Sequence, residues 1–380
     1  MGRGVARPTA SGDRGTAGQR RRSGGRDRVR REAGTALERI VTAAPVDLAV
    51  LARVLAEREI PVAGPLTATL VAGGKSNLTF RVTDGVNRWI LRRPPYGSYH
   101  RGAHDVAREY RVLAALAATA VPVPTVVALG TDQEVPYYLM AEVPGDVLRT
   151  RDAVAAVAPA DRHRLSIAMV DTLADLHEVR IDAVGLRDFG RPDGFLARQL
   201  ARWHRQYHAV SRRHTVLVDE LANRLGAGLP PPVGASIVHG DYRVDNLIVT
   251  PDDPGRIAAV LDWEMATLGD PLADLGTLVM FWDEVGRPFN PITGGLTAFA
   301  GFLDVDEVVS HYCARRGLDD QVSTALPWYL AFAKFKLAVI LEQIHVRHTS
   351  GQTLGDGFDG IGRMVDELLD DCALATLPAR

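Results

Sequence analysis

The stretch Ile237–Val249 reads IVHGDYRVDNLIV, and VLDWE (Val260–Glu264) follows it closely. Apolar runs flank both polar clusters, as expected if short strands hold them at rigid ends facing one cleft. Asp241 and Asn246 lie five apart on a loop, so they can meet one centre from two sides. A carboxylate there can take the proton of an attacking hydroxyl. The Asn side-chain carbonyl suits Mg²⁺, a hard ion that prefers oxygen. Asp262, at the end of the next strand, would complete an oxygen-ligand set. Together these groups have the layout that phosphoryl transfer needs, where positioning and charge neutralisation do most of the work.

The segment before this loop divides into two regions. Ala44–Glu59 has helical apolar spacing through Leu48, Leu51, Val54 and Leu55. Leu66–Val71, Asn77–Thr83 and Arg88–Arg92 read as strands, with Asp84-Gly85 as a hairpin turn. An Ala/Leu-rich helix, Ala103–Ala118, precedes Pro122-Val123-Pro124. Val126–Leu129 and Tyr137–Val143 read as two more strands. The order is β-β-β-α-β-β with antiparallel hairpins. Beyond Gly145 the pattern is helical: Pro159–Arg180, Phe195–His214, and most of the chain after Leu272. Short strands are expected at Ala235–Val238, Leu247–Thr250 and Arg256–Trp263.

Gly74-Lys75-Ser76 looks like the tail of a phosphate-binding P-loop. That motif needs a further Gly at position 69, where this chain has Thr69, and it needs a helix to follow. Here a strand follows, so the segment reads as a glycine-rich hairpin with Lys75 at its tip.

Bulk composition narrows the classes. The 380 residues are 46% apolar, enough for a full core, and the net charge is −2. Residues 1–44 hold 11 Arg against four acids, a charge of +7 that leaves −9 on the remainder. The mildly acidic remainder makes nucleic acid an unexpected partner. Gly2–Glu32 has almost no large apolar residue and lacks a signal-peptide core, so it is expected to be a disordered, solvated extension. Cys313 and Cys372 have no metal spacing and no disulfide framework, which fits a cytoplasmic setting. The most apolar run, Leu326–Ile344, is interrupted by Lys334, Lys336 and Glu342. It reads as a buried amphipathic helix, and no membrane association is expected.

The two motifs and their spacing resemble the aminoglycoside phosphotransferase/choline kinase group, small-molecule kinases with a protein-kinase-like fold. HGDYRVDN stands where protein kinases carry H-R-D-x4-N. LDWEMATLGDPLADLG (Leu261–Gly276) stands where they carry D-F-G and its sequel. The likeness covers about residues 65–345. It implies an α+β, bilobal protein-kinase-like fold beyond a basic extension at 1–44. Residues 45–143 would form a small antiparallel-sheet N-lobe with one key helix, binding nucleotide. Residues 144–380 would form a larger, mostly helical C-lobe with the catalytic loop, metal site and acceptor pocket. It also implies ATP and Mg²⁺ as cofactors and a small-molecule alcohol as acceptor.

By position, Asp241 is the implied catalytic base, and Asn246 and Asp262 are the implied Mg²⁺ ligands. His239 matches a residue that supports the loop. Arg243, two residues past Asp241, stands where protein kinases carry a lysine that touches the γ-phosphate, an implied catalytic role, with a surface salt bridge as its other reading. Asp270-Pro271 reads as a helix cap, and Asp274 as structural or functional in equal measure. Gly73, Gly74, Ser76 and Asn77 match the nucleotide loop. Arg92 occupies the place of the strand lysine, with Arg93 on the opposite face. Glu109 is its matching partner, or else a solvated helix glutamate. Met140, Glu142 and Val143 match the adenine-pairing hinge.

The acceptor is addressed by Arg187–Arg213, with seven Arg and two acids. Arg198, Arg202 and Arg205 share one helical face, interleaved with Trp203, His204 and Tyr207. Arg198, Arg202 and Tyr207 are the candidate acceptor-pocket residues. A basic stripe suits an anionic acceptor such as a CoA thioester, against the plain reading of a solvated Arg-rich face. Arg202–Tyr207 and Leu261–Gly276 are also similar to phosphotransferase domains fused to, or beside, acyl-CoA dehydrogenases. That likeness implies phosphorylation of a hydroxyacyl-CoA and a functional link to such a dehydrogenase. The alternatives are an aminoglycoside or amino-alcohol kinase, and a non-catalytic nucleotide-binding protein of the same fold. The last is disfavoured because Asp241, Asn246 and Asp262 are all present.

Overall fold

The computed structural model describes residues 1–2, 46–71, 77–94, 105–132, 134–290, 292–319, 321–351 and 358–374. The basic segment up to residue 45, and Gly73, Gly74, Lys75 and Ser76, lie outside the described residues apart from the first two.

The N-lobe is a five-stranded antiparallel sheet in the order β1-β2-β3-β5-β4. Its strands are β1 Thr67–Leu70, β2 Leu78–Thr83, β3 Arg88–Arg93, β4 Val126–Asp132 and β5 Val135–Ala141. Helix α1 (Leu48–Glu57), capped by Asp47, packs Leu51 and Leu55 on one face of this sheet. Those leucines join Phe80, Val82, Trp89, Leu91, Tyr137 and Leu139 in a separate apolar cluster. Helix α2 (Val106–Leu116), capped by Asp105, lies on the opposite side, and its Val106, Val112, Leu113 and Leu116 enter the main core. So the sheet is covered on both faces, with α2 on the side that packs into the main core.

The C-lobe is mostly helical. A short strand β6 (Asp146–Val147) and helix α3 (Arg151–Ala155) lead into α4 (Pro159–Glu178), with Pro at its start. Next come α5 (Phe195–Val210) and α6 (Thr215–Ala227). The sequence suggests one helix to His214, but the chain breaks after Val210. Ser211 is extended, and its hydroxyl is held by the buried carboxylate of Glu342 at 2.5 Å. This tertiary contact gives no local signal.

The motif strands follow: β7 Ser236–Val238, β8 Leu247–Thr250, β9 Asp253–Val260 and β10 Thr267–Gly269. β7 pairs with β10, and β8 lies between β6 and β9. Helices α7 (Leu272–Met280), α8 (Val305–Arg316), α9 (Gln321–Thr349) and α10 (Ile361–Leu374) complete the lobe. α9 is long and apolar enough to cross a membrane by length and composition. Within this fold it is the central core helix, burying Trp328, Tyr329, Phe335, Ala338 and Val339 against its neighbours. A fully buried Glu342 on it is paired with Arg213.

Candidate active site

The loop after β7 is fixed from behind by Asp274 of α7. One carboxylate oxygen accepts the His239 N–H at 2.6 Å and the other the Gly240 N–H at 2.7 Å. The His177 Nε2 of α4 lies 3.3 Å from the same carboxylate, and its Nδ1 lies 2.7 Å from the Tyr312 hydroxyl of α8. All four groups are buried. Burial holds the His177 imidazole below its ordinary range, so it stays neutral, donating from Nε2 and accepting at Nδ1. Burial alone would push the Asp274 carboxyl up. The hydrogen bonds from His177 and Gly240 outweigh it and keep the group ionised. Asp274 is therefore a structural clamp. Asp270, its neighbour in the motif, accepts from Leu272 N–H at the start of α7 and from the Tyr329 hydroxyl.

His239 Nε2 lies 2.9 Å from the Leu261 carbonyl, and its Nδ1 lies 3.2 Å from the Asp241 amide N. A Nε2–H tautomer satisfies both contacts. His239 thus joins the catalytic loop to the segment carrying Asp262, as a support. Gly240 has φ +86°, and a Cβ there would sit 2.9 Å from Met265 Cβ and O. Only glycine tolerates both the conformation and the closeness.

Asn246 ends a 3₁₀ turn, Val244–Asn246. Its Nδ2 donates to the Asp241 carbonyl at 2.8 Å and to Asp241 Oδ2 at 2.9 Å. Spending the amide nitrogen on Asp241 leaves Oδ1 as the acceptor end, the atom a hard cation wants. Asp262 sits in the left-handed region at φ 64°, an uncommon conformation for a non-glycine residue and one that Asp tolerates better than most. Its carboxylate is 37% exposed and, among the described residues, is held on one oxygen only, by Arg92 at 3.3 Å. An Asn carbonyl, a carboxylate with a spare oxygen and no soft ligand make a donor set that fits Mg²⁺.

Arg92 on β3 bridges the lobes. Its Nε lies 3.4 Å from Glu109 Oε2 on α2, and its Nη2 reaches Asp262 of the C-lobe. Burial works against its charge, but Glu109, Tyr138 and Asp262 more than restore it and hold the guanidinium above its ordinary range. Glu109 is 1% exposed and also accepts from Asn77 Nδ2 at 2.8 Å and the Tyr138 hydroxyl at 2.9 Å. It is a buried ion-pair partner, unlike the solvated helix glutamate considered above. Asn77 Oδ1 is buried without a hydrogen-bond partner among the described residues. Arg93, on the opposite face as alternation requires, is itself buried and lies 3.9 Å from Asp132.

Arg243 lies 3.4 Å from Asp241 Oδ2 and 3.1 Å from Asp245 Oδ2, with its guanidinium over the Phe281 ring. It is 19% exposed, so the surface salt-bridge reading gives way to a partly buried pair with the Asp241 carboxylate. At the hinge, Met140 is buried and Val143 is half-buried. The Glu142 carboxylate is turned to Arg81 of β2, at 2.6 Å.

The acceptor-side residues need correction. Arg198 is exposed and spends its guanidinium on the backbone carbonyls of Asp193 and Arg191, closing the turn before α5. Tyr207 is fully buried, its hydroxyl donates to the Arg213 carbonyl at 2.9 Å, and burial pushes it up to about 12. Both are structural. Helical spacing groups Arg198 with Arg202 and Arg205 on one face, and Tyr207, nine residues from Arg198, falls on the opposite, buried side. Arg202 is exposed, lies over Trp203 and acts electrostatically on Lys336.

Lys336 of α9 is the residue the sequence reading missed. Its ammonium donates to the Gly240 carbonyl and lies 6.0 Å from the Trp203 ring centroid. Burial pulls its pKa below the ordinary lysine range, opposed by Asp241 and Asp274. The available signal was scarcity: it is one of three lysines, in an otherwise apolar helix.

The "Phosphotransferase enzyme family" model matches residues 67–297. The chain belongs to this phosphotransferase family. Acyl-CoA dehydrogenase family member 11 of Gallus gallus is 34% identical over 320 residues, covering 81% of this chain and 40% of that protein. The Homo sapiens protein of that name is 33% identical over 305 residues, covering 78% and 38%. The chain thus spans about two fifths of the length of these relatives. A Ralstonia eutropha protein assigned as an aminoglycoside phosphotransferase is 31% identical, with a TM-score of 0.71, over 87% of this chain and 99% of that one. The GDP and kanamycin complex of APH(2'')-IIIa is 15% identical, with a TM-score of 0.56, over 86% and 99%, and that likeness shows the fold alone. This phosphotransferase chain therefore has the bilobal kinase-like fold expected from its motifs.

Proposed function

We propose that the protein transfers the γ-phosphoryl group of ATP, with Mg²⁺, to the hydroxyl of a small anionic acceptor of the hydroxyacyl-CoA type. The observation that carries the reading is the Arg92 bridge, 3.4 Å to Glu109 and 3.3 Å to Asp262. It joins the strand cation and helix carboxylate of the N-lobe to the metal-side aspartate of the C-lobe. That ion pair and that aspartate must both be in place for kinase-type transfer.

In this reading Asp241 accepts the acceptor's proton as the new P–O bond forms. Asn246 and Arg243 hold its carboxylate oriented, from 2.9 and 3.4 Å. Asn246 Oδ1 and Asp262 would hold Mg²⁺, which when bound neutralises charge on the phosphate oxygens. Arg92 and Asn77 cradle the nucleotide from above, and Met140–Val143 border the base.

The acceptor class is supported by two independent features. Lys336 donates to the Gly240 carbonyl of the loop carrying Asp241, and Arg202 adds positive charge that acts on Lys336. The similar proteins named above are acyl-CoA dehydrogenase family members, which suggests that phosphorylation primes a hydroxyl for loss.

A coupled ADP-release assay tests this, with a 4-hydroxyacyl-CoA and kanamycin side by side. Turnover with the thioester, inhibited by excess free CoA, is expected. Turnover with kanamycin alone would move the acceptor to the amino-sugar class.

A further inference from the structure

Among the described residues, the phosphotransfer site leaves a further chemistry-bearing cluster unused. His204 and His208 are four apart on α5, so their rings project from one side of the helix, with centroids 4.7 Å apart. Asp219, from the second turn of α6, meets both. His204 Nε2 lies 2.6 Å and His208 Nε2 2.8 Å from the same Oδ1. We propose that His204, His208 and Asp219 form a binding site for a divalent transition-metal ion of the Zn²⁺ class.

The argument rests on donor type, convergence and access. Two imidazoles and one carboxylate suit Zn²⁺, Co²⁺ or Ni²⁺ rather than the hard Mg²⁺ of the phosphotransfer site. The three donor atoms all lie within 4.8 Å of one another. Zinc–nitrogen and zinc–oxygen bonds of about 2.0–2.2 Å at tetrahedral angles put donor atoms roughly 3.3 Å apart. The two His–Asp contacts need only open by roughly 0.5–0.7 Å, a small rotation of three part-exposed side chains. Those side chains are 33%, 31% and 51% exposed, so an ion can enter from solvent and keep water in a fourth position. Without an ion, two N–H groups crowd one carboxylate oxygen. An ion would take their place, with each ring moving its proton to Nδ1.

An ion there would tie the first half of α6 to the part of α5 that carries Trp203.

The test uses the untagged full chain, stripped of metal and kept in excess Mg²⁺ to occupy oxygen-ligand sites. Co²⁺ is titrated while its visible d–d absorption is followed. One equivalent should bind with the intense band of a tetrahedral nitrogen/oxygen site and raise the melting temperature. His204→Gln/His208→Gln should weaken binding by more than the ~100-fold typical of losing only an outer partner. Asp219→Asn, the milder change, should weaken it less, with the band shifted. Circular dichroism of each metal-free variant confirms that it is folded. Binding of Co²⁺ to the double variant with wild-type affinity, or no band in the wild type, would overturn the site. Neither result bears on ADP release, so this proposal and the phosphotransfer reading fail separately.

Discussion

Asp241 and Asn246 act as a unit, because the Asn amide reaches both the backbone and the carboxylate of Asp241. Asp241→Asn should lower turnover by about 10³-fold, within the range for losing a general base, while nucleotide affinity stays within a few-fold of wild type. Steady-state ADP release and calorimetric ADP binding check the two halves. Arg92→Met leaves the Glu109 carboxylate buried without its cation. Breaking a buried pair from one side costs about 3–5 kcal/mol, so urea denaturation should show a loss of that size. Glu109→Gln in the same background should recover part of it. Lys336→Met should raise KM for a CoA thioester more than it lowers kcat if Lys336 recognises the acceptor. Equal loss in both would mean that its bond to the Gly240 carbonyl chiefly holds the loop.

Elements explain why some of these residues were legible and others were not. The catalytic loop is local: His239, Asp241 and Asn246 lie within eight residues, and short apolar strands mark both ends. The N-lobe was legible for the same reason, since its antiparallel hairpins put partners close in sequence. The support behind the loop was not. It joins α4, α7 and α8 through His177, Asp274 and Tyr312, residues up to 135 apart that share only a buried point. Lys336 was hidden similarly, because its partner Gly240 is 96 residues away. The acceptor stripe was hard to read for a different reason: helical period groups Arg198, Arg202 and Arg205 on one face but does not say what that face meets, and Tyr207 falls on the opposite, buried side.

The buried support has a pH signature. The His177 pKa is depressed from 6.5 in the fold, so just below that pH the unfolded chain binds a proton that the native chain refuses. Stability therefore falls as pH drops through that region. Asp274, also depressed, adds a further loss as pH falls below its unfolded value of 3.8. Melting temperature should decline from about pH 7 to pH 5, and His177→Gln should flatten that decline.

At the scale of the whole molecule, the two lobes communicate through Arg92 and through α2 packing near Trp263–Met265. A ligand that contacts both lobes should stabilise the fold as one unit. ADP at 100 times its dissociation constant should add about 2.7 kcal/mol, seen as a shift in the thermal transition. Asp262→Ala should abolish the Mg²⁺-dependent part of that shift and keep the Mg²⁺-independent part. The most direct measurement is Mg²⁺-dependent ADP release by the wild-type chain and by Asp241→Asn, with a 4-hydroxyacyl-CoA as acceptor. Acceptor-dependent turnover in the wild type, lost in a variant that still binds ADP, is the predicted result. Undiminished turnover in Asp241→Asn would contradict the account.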